Sequence, residues 1–200
     1  MYKRKQSMKH LVRNALGAAL GVVLVSSTAF AAFSALKLDR THSTVSFTAE
    51  TVIFDVDGEF GEYNVEIEGD PAKPATVKVK ASIGVASINT QNAKRDKHLK
   101  SPDFFDVEKY PTITFASTSV RSKGGQLLVK GNLTMHGTTK QVTLPFKVAK
   151  GKNGAGMDTT TYKAKLTLDR NDYGIGTDSI AAKISLEDEV SLKLVIVTFQ

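Results

Sequence analysis

From Thr44 onward the chain places an apolar residue at every second position, and glycine breaks the pattern at short intervals. Val45 and Phe47 alternate with Thr44, Ser46 and Thr48, and Tyr63, Val65 and Ile67 alternate with Asn64, Glu66 and Glu68. The pattern returns over 77–85, 127–135, 142–148, 162–168 and 190–196, with a shorter run at Ile113 and Phe115. Successive side chains of a strand point to opposite faces, so this period describes strands with one buried face. Turns are supplied by Gly-Asp-Pro at 69–71, Gly124-Gly125, His136-Gly137 and GKNGAG at 151–156. Pro145 lies inside a run, which points to an edge or a bulge there. The reading is all-β, with about eight antiparallel strands in a sandwich or an up-and-down barrel. An eight-stranded barrel is either filled by its own side chains or holds one small ligand, and composition leaves both open.

One stretch refuses the pattern. NAKRDKHLKSPDFFDVEKYP, Asn92 to Pro111, carries nine charged side chains and two adjacent phenylalanines. Asn89 or Thr90 suits a helix cap, and Ser101-Pro102 reads as a second cap with proline at the first helical position. The block is expected to be a helical insert over Gln91–Phe105, between the third and fourth strands. Its charges face water, and Leu99, Phe104 and Phe105 are what it buries. Laid across one end of a barrel, it would act as a lid or plug.

Residues 1–31 follow another logic. Lys3, Arg4, Lys5, Lys9 and Arg13 precede an apolar run at 15–25, and Ala29-Phe30-Ala31 follows as an A-x-A site. This is the layout of a secretory signal peptide, expected to be cleaved after Ala31. Its apolar run is too short for a transmembrane helix, so no stable membrane anchor is expected. The remaining domain, 32–200, keeps 22 basic residues against 20 acidic ones, a formal +2. The basic character therefore belongs mainly to the leader and gives no sign of nucleic-acid binding. The chain has no cysteine, so an exported domain of this size is held by its core alone. The expected location is a bacterial periplasm.

Candidate chemistry is sparse. His42, His98 and His136 show no ligand spacing, and no metal site is expected. No G-x-S-x-G elbow is present, and GKNGAG is not followed by the residues of a phosphate loop. Asp55 with Asp57 and Asp103 with Asp106 suit turns and caps, so no catalytic residue and no cofactor is assigned. Arg95 and Asp96 form either a helix-surface ion pair or a tie from the helix to a loop at the barrel mouth. Arg170 is a second candidate tie, from a strand end to that helix. The phenylalanines at 47, 54, 60, 104, 105, 115 and 146 either fill a solid barrel or line a channel.

The stretch NTQNAKRDKHLKSPDFFDVEKYPTITF, Asn89 to Phe115, resembles the signature of the YceI-like proteins. LDRTHSTVSF near Thr44, KGNLTMHGTTKQVTLPF from Lys130 and LDRNDYGIG from Leu168 continue the resemblance, in order, over nearly the whole domain. Many members carry a further histidine after the first strand's phenylalanine; here FTAETVIF has Glu50 and Thr51 instead, so that role does not transfer. The resemblance implies a lipocalin-like, eight-stranded antiparallel barrel with an apolar interior. It implies a long amphiphile inside: a polyisoprenoid, an isoprenoid quinone or a fatty acid derivative. It also implies an exported protein, with dimers known among relatives. The ligand-binding set expected on this reading is Phe47, Phe54, Ile83, Leu99, Phe104, Phe105, Phe115, Leu133, Met135 and Phe146. The expected function is a periplasmic lipid carrier or buffer. The alternatives are an enzyme acting on such a lipid, and a stress-protective interaction protein with a filled barrel. The last strand, LKLVIVTF, is apolar on both faces, so it needs cover from the insert or from a second subunit, and a homodimer is expected on that ground.

Overall fold

The structure, a computed structural model, describes residues 36–199. The leader read at 1–31 lies outside them. Eleven strands form one antiparallel sheet: β1 (Lys37–Leu38), β2 (Thr44–Thr51), β3 (Val56–Phe60), β4 (Tyr63–Glu68), β5 (Lys78–Gly84), β6 (Ile88–Asn89), β7 (Thr112–Lys123), β8 (Gln126–Met135), β9 (Thr138–Lys152), β10 (Asp158–Asp169) and β11 (Leu186–Phe199). Among the described residues, two short α-helices interrupt them, α1 (Ala93–Leu99) and α2 (Ile180–Ser185). The order across the sheet is β4-β5-β7-β8-β9-β10-β11-β2-β3-β6, with β1 beside the end of β11.

The sheet coils until its ends meet. β5 pairs with β4, and after one 3-10 turn the same segment becomes β6 and pairs with β3. The N-terminal segment closes the seam further along. Leu36 donates its N–H to the Ile67 carbonyl at 3.4 Å, Arg40 Nη1 donates to the Tyr63 carbonyl at 2.7 Å, and the Tyr63 hydroxyl donates to the Ser43 carbonyl at 2.6 Å.

Eleven strands replace the eight expected. The eight are β2, β4, β5 and β7–β11; β1, β3 and β6 are additional. Two-residue strands are too short to show a period. β3 reads VDGEF, with Val56, Gly58 and Phe60 buried, so a glycine stands where the pattern asks for an apolar side chain. The space is already taken: a Cβ on Gly58 would lie 2.3 Å from Cζ of Phe47.

Register turns alternation into a core. Phe115 faces Leu133, Leu127 faces Phe146 and Leu166 faces Leu192 across adjacent strands, the pairing that stabilises sheets. Two-residue hairpins fix that register. Gly124-Gly125 (φ 58° and 75°) and His136-Gly137 (φ 49° and 75°) both hold the positive φ values that a type I′ turn requires. His136 keeps this uncommon backbone while its Nδ1 bonds the Tyr173 carbonyl at 2.9 Å and its ring meets Tyr110 edge-on. The β9–β10 ladder runs only from Lys147 to Lys152, so Pro145 lies where β9 pairs with β8 alone. It is locally an edge position.

The insert differs in detail from expectation. Asn92, not Asn89 or Thr90, caps α1, its side chain accepting from the N–H groups of Lys94 and Arg95. Thr90 is buried and has another task. Ser101-Pro102 opens a chain of turns rather than a helix, because the backbone folds back on itself: Phe105 donates to the Leu99 carbonyl and Val107 to the Lys100 carbonyl. The last strand is met by the chain's own N-terminal segment. Ser43 Oγ exchanges hydrogen bonds with both backbone groups of Val197, and Asp39 donates to the Val197 carbonyl.

Candidate functional site

The inward faces of the strands do not fill the barrel. They surround a cavity of about 180 Å³, with walls from β2–β5 and β7–β11 and an end formed by the insert. This is below the roughly 300–1,000 Å³ of a compact ligand pocket, and the lining gathers toward the insert: β8 contributes Leu133 and Met135, while Leu127 and Val129 further along it belong to the packed core. A slender chain suits such a space better than a bulky head.

Phe47, Ile83, Phe115, Leu133, Met135 and Phe146 line the wall, as their strand alternation requires. Leu99, Phe104 and Phe105 line the closed end. Phe54 does not belong with them. It sits in the β2–β3 loop, 59 % exposed, and takes no part in the lining. The alternation of β2 stops at Thr51, so nothing turns Phe54 inward. Phe60, one of the phenylalanines read from sequence as filler or lining, also lines the cavity, as do Leu166, Leu168, Ile175 and Leu186, which lie outside the expected ligand-binding set. Leu166 and Leu168 were legible from the alternation; Ile175 and Leu186 lie in or beside irregular segments that carry no period.

Two residues of the lining carry polar side chains, Ser46 and Arg170. The Ser46 hydroxyl donates to the Lys193 carbonyl at 3.2 Å. Arg170 is 6 % exposed and commits its guanidinium to the protein. It donates to the carbonyls of Glu187 (3.0 Å), Ile175 (3.0 Å) and Leu186 (3.2 Å) and to Asp188 Oδ1 (3.0 Å). Arg170 thus ties the end of β10 to the start of β11 and to the following turn, not to α1 as expected. A buried guanidinium needs such partners, since an unpaired buried charge is costly.

The insert is anchored by a different set. Asp96 Oδ1 accepts from the Thr90 N–H at 2.8 Å and from the Thr90 hydroxyl at 2.6 Å. Arg95 reaches the same residue, Nε to Thr90 Oγ1 and Nη2 to the Thr90 carbonyl, both at 2.8 Å. Of the two sequence readings, the tie to a loop is the one realised. Phe104 then packs against Tyr173, Ile175 and Ala182, and the Phe105 ring meets Phe60 edge-on at 6.2 Å.

The histidines are each engaged separately. His42 pairs with Asp39 at 2.8 Å, and that bond holds the Asp39 carboxyl below its usual range. His98 pairs with Asp103 at 3.1 Å. Burial raises the phenols of Tyr63, Tyr162 and Tyr173 above their ordinary value.

The family model for the YceI-like domain matches residues 36–198. The chain belongs to the YceI-like family. It is 33 % identical over 185 residues to Protein YceI of Salmonella newport, covering 90 % of this chain and 96 % of that protein. Among solved structures, BcnA of Burkholderia cenocepacia aligns with a TM-score of 0.73 at 30 % identity, over 81 % of this chain and 99 % of that one. A polyisoprenoid-binding domain of Saccharophagus degradans, implicated in plant cell wall breakdown, shares the fold with a TM-score of 0.62 at 17 % identity, over 81 % of this chain and 96 % of that one. The apolar cavity of this YceI-like chain lies inside that shared barrel.

Proposed function

We propose that this protein is a periplasmic carrier or buffer that holds one long apolar chain in its barrel. The chain would be a polyisoprenoid, an isoprenoid quinone or a fatty acid derivative. The observation that carries the reading is the cavity itself: its walls are apolar, and its two polar side chains are committed to the protein's own groups. Such walls recognise length and slenderness. Each buried methylene contributes about 0.8 kcal/mol, so a long chain binds firmly without a charged anchor. The fold shared with a polyisoprenoid-binding domain supports the same class of ligand. The leader layout at 1–31 supports export. Catalysis on the bound lipid finds less support, because Arg170, the one charged side chain of the lining, has its donors occupied.

Native mass spectrometry of the protein recovered from its producing cell tests this directly. A retained lipid, displaced by longer or shorter homologues in order of fit, is the expected result. Conversion of that lipid on incubation would favour an enzyme. Protein that arrives empty and takes up no prenyl or acyl chain would overturn the carrier reading.

A further inference from the structure

Among the described residues, six large apolar side chains are strongly exposed: Val52, Ile53, Phe54, Ile180, Ile184 and Met157. The first five belong to two neighbouring segments at the same end of the barrel as the insert. Val52, Ile53 and Phe54 form the tip of the β2–β3 loop, 71, 85 and 59 % exposed. Ile180 and Ile184 are one turn apart on α2, 75 and 74 % exposed, and an i, i+4 pair shares one helix face. The Val52 N–H donates to the Ser185 carbonyl at 3.1 Å, and Thr51 pairs with Leu186, so loop and helix lie side by side.

Both tips are built rather than loose. Thr51 Oγ1 accepts from the Phe54 N–H at 3.1 Å and donates to the Phe54 carbonyl at 2.5 Å, which fixes the loop. Ser179 caps α2, and Ala182 on its inner face is buried against Phe104, Ile175 and Leu186. Those three line the cavity. One helix thickness therefore separates the exposed isoleucines from the closed end of the site.

We propose that this end of the barrel docks on a lipid bilayer, with the β2–β3 loop and α2 entering the headgroup layer. The proposal rests on the carrier reading, since a carrier must meet the membrane that supplies or receives its lipid. Contiguous exposed apolar patches mark sites of protein or membrane contact. A second copy is the other candidate occupant, and two observations disfavour it. Five side chains are few beside the roughly 20–30 residues that each side of a stable protein interface contributes. The rim beside the tips is also acidic: Asp55, Asp178 and Glu187 are exposed there, with Asp188 paired to Arg170, against Lys183 alone on α2. A symmetric dimer would press that rim against itself. A zwitterionic surface, whose outermost groups are cationic, complements it. The partner is accordingly a neutral bilayer, engaged by apolar insertion.

The chain has no tryptophan, so Phe54→Trp provides a single reporter. The full chain is expressed, and the soluble product is mixed with phosphatidylcholine vesicles, with and without added phosphatidylglycerol. The expected result is a blue shift of the reporter and co-sedimentation with neutral vesicles, undiminished when the anionic lipid is left out. In the Ile53→Asp, Ile184→Asp double variant, partitioning falls at least tenfold (an order set by removing two inserted apolar side chains), with an unchanged melting temperature. An unshifted reporter, or a double variant that sediments like wild type, overturns the proposal. So does wild-type self-association in ultracentrifugation that the double variant abolishes, since the patch then belongs to a second copy. Native mass spectra taken in parallel separate the two readings. Protein that binds vesicles but holds no lipid retires the carrier and keeps the docking surface; lipid-loaded protein that ignores vesicles does the reverse.

Discussion

Asp96 holds Thr90 twice through one oxygen, accepting the backbone N–H at 2.8 Å and the hydroxyl at 2.6 Å. Thr90 is 4 % exposed and directly follows β6, which pairs with β3 at the seam of the barrel. The bond therefore joins the insert to the wall it closes. Hydrogen bonds to a charged group contribute about 1.5–3 kcal/mol, and stranding a buried donor adds to the loss. Asp96→Ala is expected to lower stability by about 2–3 kcal/mol and to raise hydrogen exchange across α1 first. A double-mutant cycle with Arg95→Ala should show strong coupling, because both side chains act on Thr90. Additive effects of the two changes would mean that the network does not fix the insert.

Phe104 and Phe105 divide the work of closing the barrel. Phe104 is 7 % exposed and wedged under α2, so close to Gly176 that a Cβ there would sit 2.9 Å from its ring. Phe105 is half-buried and meets Phe60 across the mouth. Phe104→Ala should cost about 3–5 kcal/mol, the figure for a large buried aromatic. Phe105→Ala should cost less stability and should release a bound prenyl chain faster. Melting of the emptied protein and the off-rate of a prenyl probe separate the two effects. Equal stability losses with unchanged off-rates would make the pair a plain core plug.

Sequence alone reached the wall of the site but not its surroundings. Phe115 and Leu133 were legible because a two-residue period fixes the face of every side chain in a strand. Phe54 was misplaced because it lies just beyond the point where that period ends. β3 stayed hidden because Gly58 yields its place to the Phe47 ring, a contact between residues on adjacent strands. The partners of Arg170 were equally hidden, since three of them are backbone carbonyls, which leave no trace in residue identity. Signals carried by side-chain pattern were readable; those made by backbone acceptors and by tertiary crowding were not.

Gly58 offers a test of that crowding. Its Cβ position is 2.3 Å from Phe47 Cζ and 2.9 Å from Thr90 Cγ2. Gly58→Ala must push the ring or part β2 from β3, an overpacking that costs about 1–3 kcal/mol. Because Phe47 also lines the cavity, lipid content should change with stability. Unaltered melting and unaltered retained lipid would mean that the ring has room to spare.

Leu133 tests the inward face. It pairs with Phe115 and lines the cavity. Leu133→Asp puts an unpaired carboxylate into an apolar space, which is costly. Loss of folding, or a folded protein without lipid, is expected by circular dichroism and native mass spectrometry. Wild-type stability together with wild-type lipid content would reverse the face assignment of β8.

The phenol of Tyr162 sets an alkaline limit. Its hydroxyl is buried with no well-formed hydrogen bond among the described residues; burial raises its pKa, against a weaker contact with the Thr198 side chain that lowers it. Tyr63 and Tyr173 are raised by burial as well. A raised phenol keeps its proton in the folded state after the unfolded chain has lost it. The folded state then binds more protons, so stability falls as pH rises. The contribution is complete below the unfolded value near 10 and declines as pH rises through it toward the folded one. Tyr162→Phe removes one such group together with an unsatisfied hydroxyl. At neutral pH the variant should be as stable as wild type or slightly more so, since discarding an unpaired buried polar group carries little penalty. At alkaline pH it should lose stability less steeply. Denaturant melts at several pH values, with phenolate absorbance followed in parallel, check both statements. A variant weaker than wild type by more than about 1 kcal/mol at neutral pH would show that the hydroxyl makes a bond of ordinary strength. An unchanged alkaline slope would show that Tyr162 does not govern the limit.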